Sequence, residues 1–326
     1  MTEIPNLDVS IIVPVFNEEE SIPELHSWIS RVMKETSMVY EIILIDDGSN
    51  DRSWSLIQDL SNVDQQVKGI KFSRNYGKSA ALHTGFQHCK GEVVITMDAD
   101  LQDSPEEIPG LVKMIREENY DLVSGWKKIR HDPRNKTIPS KFFNAVTRKI
   151  SGIDLHDFNC GLKAYHSRVV HNIEVYGEMH RYIPLIAKWN GFNKIGEKVV
   201  QHRARKYGVT KFGLERYITG FLDLISITFV SKFKKKPMHF FGSLGTLSFV
   251  VGLLITIFLI GKKIYNIYHH LPARDVVDQP LFFLSLVALV VGVQLFLTGF
   301  IGEMITMNND KKSDYLILEK TGMHHQ

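Results

Sequence analysis

The 326-residue chain is 44% apolar and 23% charged, long enough for one large domain or two ordinary ones and too apolar for a disordered polymer. Its two cysteines, Cys89 and Cys160, exclude a disulfide scaffold, and no Cys/His cluster has zinc-ligand spacing. The net charge of +3 hides a segregation, −12 over residues 1–126, +15 over 127–236 and 0 over 237–326, which suits a cation site early and an anion or acidic-lipid surface in the middle.

The opening MTEIPNLDVS has no basic patch followed by an apolar run, so no secretory signal peptide is expected and the default is a reduced, cytosol-facing protein. Val9–Val15 reads as a buried strand, and Ser21 with Glu24 three residues later forms a capping-box pattern that opens a helix. Glu41–Ile45 is a second strand ending in Asp46-Asp47-Gly48-Ser49, with a helix from near Asp51. Gly69–Ser73 predicts a third strand, Ser79–His88 a helix, and Glu92–Met97 a fourth strand. Ser104-Pro105-Glu106-Glu107 supplies an N-cap, a proline at the first helical position and early acids, and Asp121–Ser124 is a fifth strand. The alternation predicts an α/β fold with a mostly parallel sheet covered on both faces, binding ligands beyond the carboxyl ends of its strands.

The apolar residues pile up late. Phe240–Gly261 carries no charge, and Leu281–Gly302 is broken only by Gln294; as helices each spans roughly 33 Å, about the thickness of a bilayer core. Lys232, Lys234, Lys235 and Lys236 precede the first span and Lys311 and Lys312 follow the second, so the positive-inside rule places both ends in the cytoplasm, against the weaker bias of Lys262 and Lys263 in the loop. Leu214, Ile218, Phe221, Leu222, Ile225 and Phe229 recur at helical spacing upstream. The expected organisation is therefore an α/β domain over 1–212, an amphipathic and basic juxtamembrane segment over 213–237, two transmembrane helices within 238–305 joined by a short extracytoplasmic loop, and a cytoplasmic tail over 306–326.

Common nucleotide signatures are missing. No glycine lies in Ser10–Ser21, so a G-x-G-x-x-G turn cannot follow the first strand, and Gly191 to Gly196 is followed by Glu197 where a P-loop needs lysine. After the fourth strand comes Asp98-Ala99-Asp100-Leu101-Gln102 instead. In extended backbone residues two apart share a side, so Asp98 and Asp100 are placed to converge on one cation, and hard oxygen ligands suit Mg2+ or Mn2+.

Val9-Ser-Ile-Ile-Val-Pro-Val-Phe-Asn-Glu18, Ile45-Asp-Asp-Gly-Ser49, Ser73-Arg-Asn-Tyr-Gly-Lys78 and Asp98-Ala-Asp-Leu-Gln-Asp-Ser-Pro-Glu106 occur in that order. Together they resemble a family-2 glycosyltransferase of the GT-A fold. With Asp157-Phe-Asn-Cys-Gly-Leu-Lys163, the segment Arg203-Ala-Arg205 to Gly208 and Lys211, and two terminal spans, the whole chain is similar to the polyprenyl-phosphate sugar transferases. These include dolichyl-phosphate mannose synthase-like enzymes and bacterial undecaprenyl-phosphate glucose or aminoarabinose transferases.

The resemblance implies an inner or plasma membrane enzyme that moves one sugar, with inversion, from a UDP- or GDP-linked donor to a polyprenyl phosphate. It assigns Pro14, Asn17, Glu18, Asp46, Asp47, Arg74, Lys78 and Asp98 to the nucleotide and its phosphates. Asp98, Asp100 and Gln102 fall at the metal, and Asp157 and Asp100 carry the catalytic assignments. Where the family commonly reads Asp-Tyr-Gly-Cys with an arginine three residues later, this chain has Asn159 for the glycine and Lys163 for the arginine. Lysine lacks the planar two-pronged contact of arginine.

Charge pattern adds Arg130, Arg134, Arg203, Arg205 and Lys211 as contacts to the acceptor phosphate or the diphosphate. A lipid phosphate is already ionised at neutral pH, so Asp157 is expected to position substrate more than to remove a proton. No nucleic-acid partner is expected, and homo-oligomerisation is open. Two other readings stand beside this one. A polysaccharide synthase is disfavoured because the chain has no Gln-x-x-Arg-Trp motif and only two spans, and a non-catalytic nucleotide-sugar-binding membrane protein has no need of the two acids.

Overall fold

Along β1 (Val9–Val15) and β2 (Tyr40–Asp46) every residue except Pro14 is buried, so both faces of the sheet must be covered. The two-residue period of a strand divides these side chains between two cores. Ile11, Val13, Ile42 and Leu44 pack with α1 (Ile22–Thr36), α2 (Ser53–Val63) and α4 (Ile108–Arg116), while Ile12, Ile43 and Ile45 pack with α3 (Lys78–His88) on the other face. The computed structural model describes residues 7–128, 144–149, 151–177, 179–203, 206–207, 237–272, 274–308 and 317–321. Its contacts separate two compact units, Met1–Leu224 with Asp314–Gln326, and Ile225–Ser313.

The first unit holds one mixed sheet of eight strands among the described residues, ordered β7-β5-β6-β4-β1-β2-β3-β8. β3 (Val67–Phe72), β2, β1 and β4 (Val93–Thr96) run parallel, and β5 (Leu122–Trp126) is parallel to β7 (Ile195–Val199). β6 (Lys163–His166) runs antiparallel to both β4 and β5, pairing Thr96 with Lys163. The chain goes outward from β1 to β2 and β3, then returns to β4 on the other side of β1. That reversal opens a crevice at the carboxyl ends of β1 and β4.

Local sequence accounts for the main elements. In α1 the apolar residues Ile22, Leu25, Trp28, Ile29, Val32 and Met33 fall on one buried stripe, and the helix closes on Ser37 at φ 56°. The expected capping box does not form: Ser21 is already helical, its hydroxyl donates back to the Glu18 carbonyl and carboxylate, its N–H goes to the Glu18 carbonyl, and the Glu24 carboxylate instead accepts Lys206 Nζ at 2.7 Å. Pro14 is tolerated in a central strand because β4 ends its pairing with β1 at Ile12 opposite Thr96. Even-numbered β1 residues face β4, as the Met97 N–H to Ile12 carbonyl bond shows, so the missing Pro14 N–H points where no partner strand remains.

Three strands lie beyond the five expected. β6 is short and begins on a lysine, β7 is a half-exposed edge, and β8 (Ile317–Thr321) pairs antiparallel with β3 after an excursion through the second unit. Thr321 bonds Ser61 at 2.6 Å, so the C-terminal segment covers what would be an open edge. The juxtamembrane expectation over 213–236 lies outside the described residues.

The second unit is a hairpin of α5 (Pro237–Tyr268) and α6 (Pro280–Asn308), each long and apolar enough to cross a membrane. Both helices extend past the uncharged runs. Small residues let the two backbones touch: a Cβ on Gly245 would lie 2.7 Å from the Gly292 carbonyl, and one on Gly252 2.8 Å from the Ser285 carbonyl. Ser248 donates across to the Ala288 carbonyl at 2.8 Å. Glu303 accepts the Met238 N–H at 3.2 Å, setting a carboxylate against the amino-terminal end of α5, where the helix dipole favours it. Gly245→Leu is expected to force the hairpin apart and lower its stability by about 1–3 kcal/mol, read by SDS titration of the purified full chain.

Candidate active site

Three loops at the carboxyl end of the sheet are bound to one another mainly through backbone groups. After β1 the chain turns at Asn17, which takes φ 55°; its N–H donates to Ser49 Oγ at 2.9 Å, and its Oδ1 accepts the Asn50 N–H at 2.9 Å. Glu18 N–H donates to Ser53 Oγ at 3.0 Å, and Arg52 N–H to the Glu19 carboxylate at 2.9 Å. The third loop joins through Asp47, whose two oxygens accept the N–H groups of Tyr76 at 2.7 Å and Gly77 at 2.9 Å. Gly48, at φ +73°, lies against the Arg74 backbone so closely that a Cβ would sit 2.4 Å from its carbonyl carbon. Arg74 itself places its guanidinium 4.9 Å from the Tyr76 ring centre.

Both acids after β2 are buried. Asp46 receives the Ser49 N–H at 3.1 Å, and burial raises its carboxyl above the usual range. Burial also lifts Asp47, to about 6, outweighing the two backbone donors that stabilise its charge; the Asp46 carboxylate adds to the rise.

The acidic turn after β4 is built differently from the extended arrangement expected. β4 ends at Thr96, Ala99 and Asp100 lie in a turn, and Leu101 takes φ 61°, because the chain must reverse to enter α4. Asp98 is 34% exposed and ion-paired with Lys78, the first residue of α3. Burial would raise its carboxyl, but the ammonium groups of Lys78 and Lys127 prevail and hold it down at about 2. Gly161 is needed beside it, since a Cβ there would lie 2.5 Å from Asp98 Oδ2. Asp100 Oδ1 accepts the Gln102 N–H at 3.2 Å, and the Gln102 carbonyl accepts the Arg203 N–H at 2.9 Å. The turn is tied to β5 by an ion pair at 2.7 Å between Lys127 and the fully buried Asp103.

Among the described residues no group of three or more His, Cys, Asp or Glu side chains gathers at a metal-like site. The donor set nonetheless fits a hard divalent ion: Asp98 is charged, reachable and already holds a cation, the Lys78 ammonium.

Asp157 is 1% exposed, and its Oδ1 accepts the Asn159 N–H at 3.0 Å while its carbonyl accepts Ser124 Oγ at 3.2 Å. This carboxylate shapes the loop that carries Asn159, Cys160 and Gly161. Cys160 is buried, and burial pushes its thiol up to about 12, which removes it as a nucleophile. Arg203 lays its guanidinium 4.1 Å from the Trp28 ring centre on α1. Arg130, Arg134, Arg205 and Lys211 lie outside the described residues.

Sequence reasoning missed a cavity lined by Lys78, Thr96, Asn159, Lys163, His180 and Arg181. His180 is fixed by Ser79, whose Oγ lies 3.0 Å from its N–H and 3.1 Å from its Nδ1. Burial, then Lys78 and Arg181, push its imidazole well below the usual range, so it is neutral. The only available signal was Lys163 in the place of an arginine; the rest is brought in by the antiparallel β6 and the turn before the helix Ile183–Trp189.

The family model for glycosyl transferase family 2 matches residues 10–173. A dodecaprenyl-phosphate galacturonate synthase of Rhizobium johnstonii is 34% identical over 96% of this chain and 93% of its own length. An undecaprenyl-phosphate 4-deoxy-4-formamido-L-arabinose transferase of Aeromonas hydrophila is 34% identical over 91% of this chain and 88% of its own. Among solved structures, the glucosyl-3-phosphoglycerate synthase of Mycobacterium tuberculosis in complex with Mn2+ and UDP-glucose superposes with a TM-score of 0.53, at 20% identity, over 69% of this chain and 79% of that one. The likeness extends the GT-A architecture to the first unit.

The geometry around Asp47 makes a pH prediction. Its folded carboxyl titrates near 6 against the usual 3.8, so it contributes stability below about 3.8 that is lost as pH rises through about 6. Carboxyl 13C NMR is expected to give a midpoint near 6 for Asp47, and Asp47→Asn to remove this component from the urea stability profile between those pH values.

Proposed function

Because this chain belongs to glycosyl transferase family 2, we propose that it moves a single sugar from a nucleotide-diphosphate donor to a polyprenyl phosphate, with inversion at the anomeric carbon. The observation that carries the reading is the ionised Asp98, already holding a cation beside the interlocked loops after β1, β2 and β3. The relatives that act on dodecaprenyl and undecaprenyl phosphate support the lipid acceptor, and the UDP-glucose complex supports the nucleotide-sugar donor.

In this reading the base and ribose lie along Asn17, Asp46 and Asp47, and the diphosphate meets Arg74 and Lys78. Asp98 and Asp100, with Gln102, would hold Mg2+ or Mn2+, which when bound neutralises charge on the departing diphosphate. A phosphomonoester has a second pKa of about 6, so the acceptor arrives ionised and needs little general-base help. Its oxygen attacks the anomeric carbon as the bond to the donor phosphate breaks. The difficulty is bringing one anion to another, which the basic segment containing Arg130, Arg134, Arg203, Arg205 and Lys211 relieves. Asp157, buried and bound to its own loop, orients substrate groups.

Connectivity supports the membrane placement. The chain leaves the first unit at Leu224 and re-enters it at Asp314 with two apolar helices between, and two crossings return a chain to the side it left. With the lysines flanking those helices, that supports an inner or plasma membrane protein with its α/β unit and both termini in the cytoplasm.

Incubating the full chain with radiolabelled UDP- and GDP-sugars, undecaprenyl phosphate and Mg2+ or Mn2+ is expected to pass label into the organic phase as lipid-linked monosaccharide. Polymer, or no transfer, would overturn the reading. Asp100→Asn is expected to cut transfer by at least about 100-fold with membrane insertion intact; undiminished transfer in that variant, or in chelated wild type, refutes the metal assignment. Asp157→Asn is expected to lower kcat without altering the shape of the pH profile, whereas loss of a titrating limb would make Asp157 the base.

A further inference from the structure

In the core of a bilayer a polar side chain has no water to bond, so it either finds a protein partner or costs free energy. The two uncharged runs, Phe240–Gly261 and Leu281–Gly302, carry six hydroxyl side chains. All six donate to backbone carbonyls at 2.6–2.9 Å: Ser243 to His239, Thr246 to Gly242, Ser248 to Ala288, Thr256 to Gly252, Ser285 to Phe282 and Thr298 to Gln294. The carboxamide of Gln294 is the exception. It is exposed on the surface of the hairpin and, among the described residues, makes no hydrogen bond. Its place is about 4 Å along the axis from the middle of its run, near the deepest point of a bilayer.

Gln294 faces away from the contact inside the hairpin. Ser285, Ala288, Gly292 and Gly299 are the residues of α6 that meet α5, and Gln294 stands about 160° around the helix from Gly292. On its side lie Val287 and Ile301, seven residues before and after it, with Val290, Leu297 and Met304 alongside, all of them exposed. Written as a heptad, Val287, Gln294 and Ile301 take position a, and Val290, Leu297 and Met304 take position d. Two β-branched residues at a and Leu297 at d match the preference of a parallel two-stranded seam. The stripe from Val287 to Met304 is roughly 26 Å long, most of the depth of a bilayer core. An apolar stripe in lipid needs no partner; the carboxamide within it does.

We propose that α6 packs in parallel against α6 of a second copy of this chain along this stripe, with the two Gln294 carboxamides bonded to each other. This pairing rests on the membrane reading above and goes beyond it by naming a partner and a contact. A second copy suits the stripe because a carboxamide carries both donors and an acceptor, so two of them related by a two-fold axis satisfy one another. Copies inserted with the same orientation also bring Gln294 to the same depth. A lone polar residue at position a fixes the register as well, since a slip of one helix along the other leaves both amides in hydrocarbon.

The test is energy transfer between donor- and acceptor-labelled copies of the full chain in vesicles of phosphatidylethanolamine and phosphatidylglycerol, washed with alkaline carbonate and then diluted with lipid. Wild type is expected to associate, and Gln294→Leu to need at least about 5-fold more protein per lipid for half-maximal transfer. Gln294→Asn, which keeps the carboxamide, is expected to fall between the two. Oxidative cross-linking reads the contact separately, over a low background because Cys89 and Cys160 are buried. Ile301→Cys is expected to cross-link in pairs; Phe300→Cys, also exposed but about 100° around the helix, is not. A Gln294→Leu variant that associates like wild type, or equal cross-linking through Phe300→Cys, overturns the seam. Absence of transfer in wild type overturns it too, and hands the carboxamide to a different membrane protein. Release of the chain by the carbonate wash overturns the membrane reading itself.

Discussion

Asp98 stays ionised because the ammonium groups of Lys78 and Lys127 outweigh the burial that would otherwise protonate it. Each of those lysines is held by a different part of the fold, Lys78 at the first turn of α3 and Lys127 just after β5, where it also pairs with buried Asp103. The charge state of one carboxylate thus depends on the sheet being assembled across β4, β6 and β5. Inserting β6 antiparallel between its neighbours puts Gly161 beneath Asp98, and only a residue without a Cβ fits that approach. A carboxylate held this way is charged in the folded protein before any ligand arrives.

The side of the crevice formed by the loops after β1, β2 and β3 gains its order from the backbone. Asn17, Ser49, Asp47 and Tyr76 exchange bonds in which main-chain N–H groups are the donors, so the loops are positioned by groups every sequence has and by side chains short enough to have few rotamers. Gly48 carries the strictest demand, combining a left-handed backbone with contact against Arg74. The membrane hairpin uses a related device: Gly245, Gly252 and Gly292 remove side chains where two backbones meet, since apolar burial gives little drive between helices already in lipid.

Composition and pattern alone carried a large share of this molecule. The alternating apolar runs marked the first five strands, and the acids of the second and fourth fall at the carboxyl edge of the sheet, because strand ends are where side chains are released from packing. The two uncharged runs identified helices fit for a bilayer by length alone. The capping box at Ser21 failed for a local reason: Glu18 already takes both the Ser21 N–H and its hydroxyl.

Tertiary structure decided everything that depends on distant pairing. β6, β7 and β8 have weak apolar pattern because edge and short strands need only one neighbour and little core, so neither their existence nor their order could be read from residue type. Lys163 looked like an imperfect arginine until β6 placed it across from Thr96, buried and, among the described residues, in no ion pair. Arg203, singled out for its charge, is placed by the fold with its guanidinium over the Trp28 ring, a contact its sequence position did not announce. Sequence determined which charges this protein owns and roughly where strands end; only the folded sheet decided which charges face one another, since a Coulomb interaction depends on separation in space and on the solvent removed between the partners.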